Sequence, residues 1–230
     1  MRLTVRHYFD FGDARALVGD DLIRPDAWDA LRTDTAGPFA APQTRAQAET
    51  VVAEHPEISS RAEALDAWFT SEGVGSLASY GVGGATLETS LRALAPQRRL
   101  ILGEYAPRTV ERLQTLFPEP DVEIHLHDLL ADPPLDADVH LLHRVDTELG
   151  SSQWHDVLRR FADARVVFVA AGMVDLRGAL TEIRKGLRRG STKAGWVRTR
   201  SALEALWRDT HDARPLALPD LPAWVLEPKR

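Results

Sequence analysis

From Leu77 onward, short apolar runs of strand length alternate with amphipathic stretches of helical period. Residues 77–80, 99–104, 122–127, 139–145, 166–171 and 223–226 read as strands, rich in Val, Ile and Leu. Between them, 86–94, 107–117, 152–161 and 176–189 read as helices; Leu87, Leu91 and Leu94 share one face of the first. Pro107 suits a first helical turn, where its missing N–H costs nothing, and 201–210 is a further helix with Ser201 as a candidate N-cap. Strict alternation of strand and helix predicts an α/β fold whose sheet is mostly parallel and whose helices cross over it.

The first 70 residues lack that alternation. Residues 26–31, 45–54 and 60–69 carry helical patterns, the first two separated by a Gly/Pro turn region at 35–42, and Ser60 with Glu63 has capping-box spacing. The pattern divides the chain into a small helical cap, 1–70, and an α/β domain, 71–230. No internal repeat interrupts either part.

Composition narrows the class. Of the 230 residues, 44% are hydrophobic and 27% charged, which fits a globular chain, and no apolar run approaches the roughly 20 residues of a membrane helix. The N-terminus has no signal-peptide core, so a cytoplasmic location is expected. With no Cys, disulfides, thiolate nucleophiles and Cys-bound zinc are excluded together. A net charge of −6 argues against a duplex nucleic-acid surface. The basic stretch Arg184, Lys185, Arg188, Arg189, Lys193, Arg198 and Arg200 reads instead as the solvated face and last turn of a surface helix.

The chemistry concentrates at the end of the first predicted strand. Ser79-Tyr80-Gly81-Val82-Gly83-Gly84-Ala85 makes a glycine turn between that strand and a helix, a geometry that cradles phosphate or carboxylate groups. About 20 positions on, Glu104 ends the next strand, where an acid accepts the ribose hydroxyls of a nucleotide lying across the sheet edge. A dinucleotide fingerprint needs glycine at position 86, and Thr86 stands there.

The run Gly81-Val82-Gly83-Gly84-Ala85 instead resembles the first motif of class I S-adenosylmethionine-dependent methyltransferases, with Ala85 for the last glycine. Leu100-Ile101-Leu102-Gly103-Glu104-Tyr105 is similar to that family's second strand and acidic tip, and Leu126-His127-Asp128-Leu129-Leu130 to its third, where an Asp meets the adenine amino group. Residues 137–149 resemble the fourth strand of the small-molecule O-methyltransferases. The resemblance implies a Rossmann-like, doubly wound fold, S-adenosylmethionine as cofactor, and methyl transfer to a small-molecule acceptor. It places Ser79, Tyr80, Gly81, Gly83, Glu104, Tyr105, Asp128, Leu129 and His143 at the cofactor. Two departures stand out. Ser79 occupies the position of a frequent Asp or Glu, and Thr147 that of the subgroup's general-base His.

Methyl transfer from a sulfonium needs alignment first and a base only for a poorly acidic acceptor. Asp146 is the first candidate base, with His143 and Glu148 as further ones; the same residues also read as a strand end whose Arg and acids pair with one another. Tyr80 and Tyr105 can stack on adenine, contact the sulfonium, or simply pack. Trp28 and Trp196 line a pocket only if the cap folds over the sheet edge. His125, His127, Asp128, His140 and His143 raise a metal reading, which the Leu129-Leu130 run breaks, and no G-x-S-x-G supports a hydrolase. Two alternatives stay open: cofactor binding without transfer, and an RNA methyltransferase using the Arg184 to Arg200 stretch. Nothing in the sequence sets the oligomeric state.

Overall fold

A computed structural model describes residues 1–9, 24–33, 40–187 and 192–230. Its centre is a seven-stranded sheet built from β2 (Ser76–Tyr80), β3 (Arg99–Glu104), β4 (Val122–Leu126), β5 (Val139–His143), β6 (Val166–Val169), β8 (His211–Leu216) and β9 (Ala223–Pro228). Their order is β4-β3-β2-β5-β6-β9-β8. The first five run parallel, while β9 pairs antiparallel with β6 and with β8. The order reverses at β2, so a crevice opens beyond the carboxyl ends of β2, β3 and β5, where ligands bind in open α/β sheets.

Period-two alternation sorts the strand side chains into two cores. Leu77, Leu100, Leu102, Leu141, Val167, Val169 and Val225 face one side; Ala78, Ile101, Leu142, Val166, Phe168, Trp224 and Leu226 face the other. All four residues of β6 are fully buried, each contributing roughly 1.5–3 kcal/mol of burial. Helices α2 (Arg45–Glu54), α3 (Pro56–Ser71), α4 (Thr86–Leu94) and α5 (Pro107–Leu116) cover the first face. Leu65, Trp68 and Phe69 of α3 sit in the same cluster as Leu77 of β2. α6 (Ser151–Arg160) and the short α8 (Arg200–Leu203) cover the second, with Trp154, Phe161 and Trp207 as its bulk.

The fold is the doubly wound one that the strand-helix alternation predicts, with differences at its edges. The N-terminal part is not wholly helical: β1 (Thr4–Phe9) pairs antiparallel with β7 (Thr192–Arg198) in a separate ribbon, and helix α7 (Leu176–Gly186) packs on it. Both ribbon strands have weak apolar periodicity, and their pairing crosses almost the whole chain. The 201–210 helix shrinks to α8, capped at Thr199 in place of Ser201, whose hydroxyl donates to Met1 O. Ser60 lies inside α3, which starts at Pro56, and the capping box belongs to Thr44 and Gln47 at the head of α2. Of the expected 176–189 helix, residues 188 and 189 lie outside the described residues, as does most of the 35–42 turn. Among the described residues no helix is long and apolar enough to cross a membrane.

Candidate active site

The glycine turn leaves β2 through three left-handed residues, Gly81 (φ 63°), Gly83 (φ 52°) and Ala85 (φ 60°). A Cβ on Gly81 would stand 2.5 Å from Val145 Cγ1, so glycine is required there for space as well as for backbone. Ala85 takes the same conformation without glycine's freedom, a strain of order 1 kcal/mol at the start of α4. Arg112 of α5 holds the turn from behind by donating to the carbonyls of Gly83 and Pro42.

Glu104 ends β3 almost fully buried. Its carboxylate accepts from Gly83 N at 3.0 Å, Tyr105 N at 2.9 Å and Ala106 N at 3.1 Å, tying the strand end to the glycine turn. Three of roughly four lone-pair sites are thus occupied by backbone donors.

Two cavities flank this hub. One of about 410 Å³ lies over the ends of β2, β3 and β4, lined by Tyr80, Tyr105, His127, Asp128, Leu129 and Trp196 among others. The other, about 620 Å³, lies over β2 and β5 against the ribbon, lined by His7, Phe9, Arg32, Glu88, His143 and Arg144 among others. Gly81, Val145 and Glu148 line both. Between them helix α1 (Pro25–Thr33) leaves a space of only about 50 Å³ beside Glu104, lined on its side by Trp28 and Arg32. Asp29 pins α1 there by accepting from Arg108 N, Thr109 N and Thr109 Oγ1, which caps the otherwise uncapped head of α5.

Two residues that line the first cavity carry buried polar atoms without partners. Among the described residues the Tyr105 hydroxyl and His127 Nδ1 have no hydrogen-bond partner, although both are buried. The other His127 nitrogen, Nε2, is 2.9 Å from the Pro133 carbonyl, so it carries the proton and Nδ1 is left as an acceptor. Tyr80 is committed to the fold: its hydroxyl receives Leu135 N at 3.0 Å and meets His140 Nδ1 at 3.0 Å. Asp128 sits exposed on the rim, its Oδ1 accepting from Leu130 N. His125 points away beside Glu123, and among the described residues no three His, Asp or Glu side chains converge on one point.

The three candidate bases meet different surroundings. Asp146 is buried and lines neither cavity; its Oδ1 accepts from Ala171 N at 2.6 Å, and burial pushes its carboxyl up to about 6. His143 lines the second cavity, but Arg61 Nη1 lies 3.2 Å from its Nε2, and burial, reinforced by Arg61 and Arg144, pushes it down to about 3. Glu148 stands where the cavities join. Trp28 Nε1 donates to its Oε2 at 3.2 Å, and burial pushes its carboxyl up to about 7 against that hydrogen bond. Arg144 follows β5 with φ 60°, a left-handed non-glycine residue on the wall of the second cavity.

Ser79, fully buried, donates to Glu88 Oε1 at 2.7 Å and reaches neither cavity. The basic stretch forms no single face: Arg198 is buried, giving Nη1 and Nη2 to the carbonyls of Asp146 and Leu149 at 2.5 Å each. Sequence reasoning missed Arg32, Glu88, and the ribbon residues His7, Phe9, Ala194 and Val197 that wall the second cavity. Only Glu88 carried a local signal, an acid in the first turn after a glycine loop. Trp28 and Trp196 do line the cavities, because α1 and β7 fold over the sheet edge.

No protein-family model matches the sequence, and a search of curated proteins finds no match either. Solved structures match in fold. Human N-acetylserotonin methyltransferase in complex with SAM superposes with a TM-score of 0.58 at 16% identity, over 74% of this chain and 52% of that one. The mitomycin 7-O-methyltransferase MmcR gives 0.59 at 17% identity over 97% and 80%, and PigF with SAH gives 0.64 at 15% over 95% and 66%. The chain therefore spans about half the length of the human protein. It has the Rossmann-like fold of the S-adenosylmethionine-dependent methyltransferases.

Proposed function

We propose that this chain binds S-adenosylmethionine across the ends of β2 and β3 and transfers its methyl group to a small-molecule acceptor held in the second cavity. The single observation that carries the reading is the pair of orphaned buried atoms, Tyr105 Oη and His127 Nδ1, on residues lining a 410 Å³ cavity one strand from Glu104. A donor and an acceptor left unpaired each cost roughly 1–3 kcal/mol, which a heteroaromatic ligand with both functions would offset once the two side chains turn to meet it. Asp128 and Leu129 would hold the adenine edge there, and Gly81 lines the cavity between them and the glycine turn. Glu104 keeps one acceptor site, which a ribose hydroxyl would reach once Trp28 and Arg32 give way beside it.

When bound, adenosylmethionine supplies a methyl group already activated on a sulfonium. The protein's part is alignment, worth roughly 7–11 kcal/mol when nucleophile and methyl are held at attack distance. Val145 and Glu148, lining both cavities, stand where acceptor and methyl would meet. Glu148 is the base in this reading, ahead of Asp146, which faces neither cavity, and of His143, whose Nε2 accepts from Arg61. With its carboxyl near 7, it takes a proton from an acceptor hydroxyl at neutral pH and gains most of its basic form as pH rises past that value.

Thermal-shift and calorimetric titrations with adenosylmethionine, adenosylhomocysteine and NADH test the cofactor; stabilisation by NADH alone rejects it. Transfer is tested by mass spectrometry against a panel of phenols, enols and carboxylic acids. Glu148→Gln is expected to lower the rate on hydroxyl acceptors about a hundred- to ten-thousandfold and to remove the limb of the pH profile near 7. A second reading, cofactor binding without transfer, is favoured by Trp28 and Arg32 lying between the cavities. Tight binding with no turnover on any acceptor selects it.

A further inference from the structure

A buried carboxyl that the mechanism above does not use lies directly behind the glycine turn. Glu88 is in the first turn of α4 and only 3% exposed, yet it lines the second cavity together with Gly81, Val82, Gly84 and Ala85. Among the described residues its side-chain partner is a neutral hydroxyl, Ser79 Oγ, at 2.7 Å, and no Lys, Arg or His stands within ion-pair distance. The charges that share its cavity are Arg32 on α1, His143 and Arg144 at the end of β5, Glu148 beyond them and His7 on β1; Glu104 lies close enough to repel it. Burial, opposed by the Ser79 hydrogen bond, pushes the carboxyl up to about 7. A carboxylate without a counter-charge in such a place is costly, and a cation delivered by a ligand removes the cost.

We infer that Glu88, on the glycine-turn side of the second cavity, receives the α-ammonium of the cofactor's amino-acid portion, with Ser79 orienting it and the ribbon side of that cavity left to the acceptor. This rests on the cofactor reading above. Ser79 itself is unsuited to the contact: it is fully buried, and its hydroxyl hydrogen is committed to Glu88. The chain thus carries on helix α4, nine positions later, the carboxyl that its β2 lacks. An ammonium offers three N–H donors to a carboxylate, whereas a sulfonium offers none, so the amino-acid end and not the sulfur is the matching group.

The experiment is calorimetry at neutral pH with three probes: adenosylhomocysteine, its analogue lacking only the α-amino group, and 5′-methylthioadenosine, which lacks the amino acid altogether. The wild type is expected to prefer adenosylhomocysteine over the deaminated analogue by about ten- to a hundredfold, the range of a charge-assisted hydrogen bond. Glu88→Gln, which keeps shape and the Ser79 contact, is expected to remove that preference while leaving the deaminated analogue's affinity within about twofold. Equal affinity of the wild type for the two ligands overturns the inference without any variant, and covers the case in which Glu88→Gln fails to fold. Equal losses for all three probes in Glu88→Gln overturn it too, as the mark of a merely structural residue. If the wild type binds none of the three, it is the cofactor reading itself that falls.

Discussion

At Glu104 a single side chain joins two elements and, in the functional reading, the ligand. Its carboxylate bonds to the backbone of the glycine turn and to the two residues that lead into α5. Glu104→Ala therefore leaves three buried N–H donors unpaired as well as removing a ribose acceptor. Two losses are expected: about tenfold or more in adenosylhomocysteine affinity by calorimetry, and roughly 1–3 kcal/mol of stability by chemical denaturation. An unchanged dissociation constant in a folded variant rejects the ribose role. Much of this hub could be read from residue types, because a glycine turn and an acid about 20 positions on share a sheet edge whatever surrounds them. Arg32 and His7 could not, because their helix and strand reach the cavity by packing, and no spacing along the chain encodes that.

Among the elements, α1 has the most consequence for the site: the pattern at 26–31 announces the helix, but nothing along the chain says where it sits. It is a nine-residue helix, too short to be stable alone, and its place depends on one buried acid. Asp29 gives α5 the cap that Ala106 cannot supply and in return fixes Trp28 and Arg32 beside Glu104. Asp29→Ala is expected to cost about 1 kcal/mol, the usual worth of a cap, or about 2–4 °C in melting temperature at this chain length. A melting point equal to the wild type's would mean that α1 is held by something else. The ribbon of β1 and β7 makes the same point about legibility. The strands of the central sheet announce themselves by continuous apolar runs because they are buried on both faces, whereas β1 and β7 are half-exposed and find each other only at long range.

For the molecule as a whole, buried titratable groups set opposing pH dependences. Glu88 and Glu148 are pushed up to about 7 and Asp146 to about 6, all chiefly by burial, so their contribution is full below the ordinary carboxylate range and is lost as pH climbs through 6 to 7. His140, pushed down to about 4, and His143, to about 3, contribute fully above about 6.5 and lose it as pH falls. Above about pH 6.5 the histidines no longer titrate and only Glu88 and Glu148 still do, so the ligand-free protein should melt earlier at pH about 8 than at about 6 and change little beyond. Glu88→Gln, a neutral isostere, should melt at least about 2 °C above the wild type at pH about 8, since it removes a buried charge that has no counter-charge among the described residues. A scan in which the variant melts lower at that pH contradicts the account.

Local pattern alone determined the central parallel strands, the helices between them, the glycine turn and the acid that answers it, because buried strands, tight turns and helix faces are enforced by residue type within a few positions. Tertiary structure decided the rest. It seated α1 between two cavities, brought β1 and β7 over the second of them, turned Asp146 into the protein and Glu148 toward the cavities, and set Glu88 behind Ser79. Those outcomes depend on which distant surfaces meet and on what burial does to a charge, and both are properties of the packed chain.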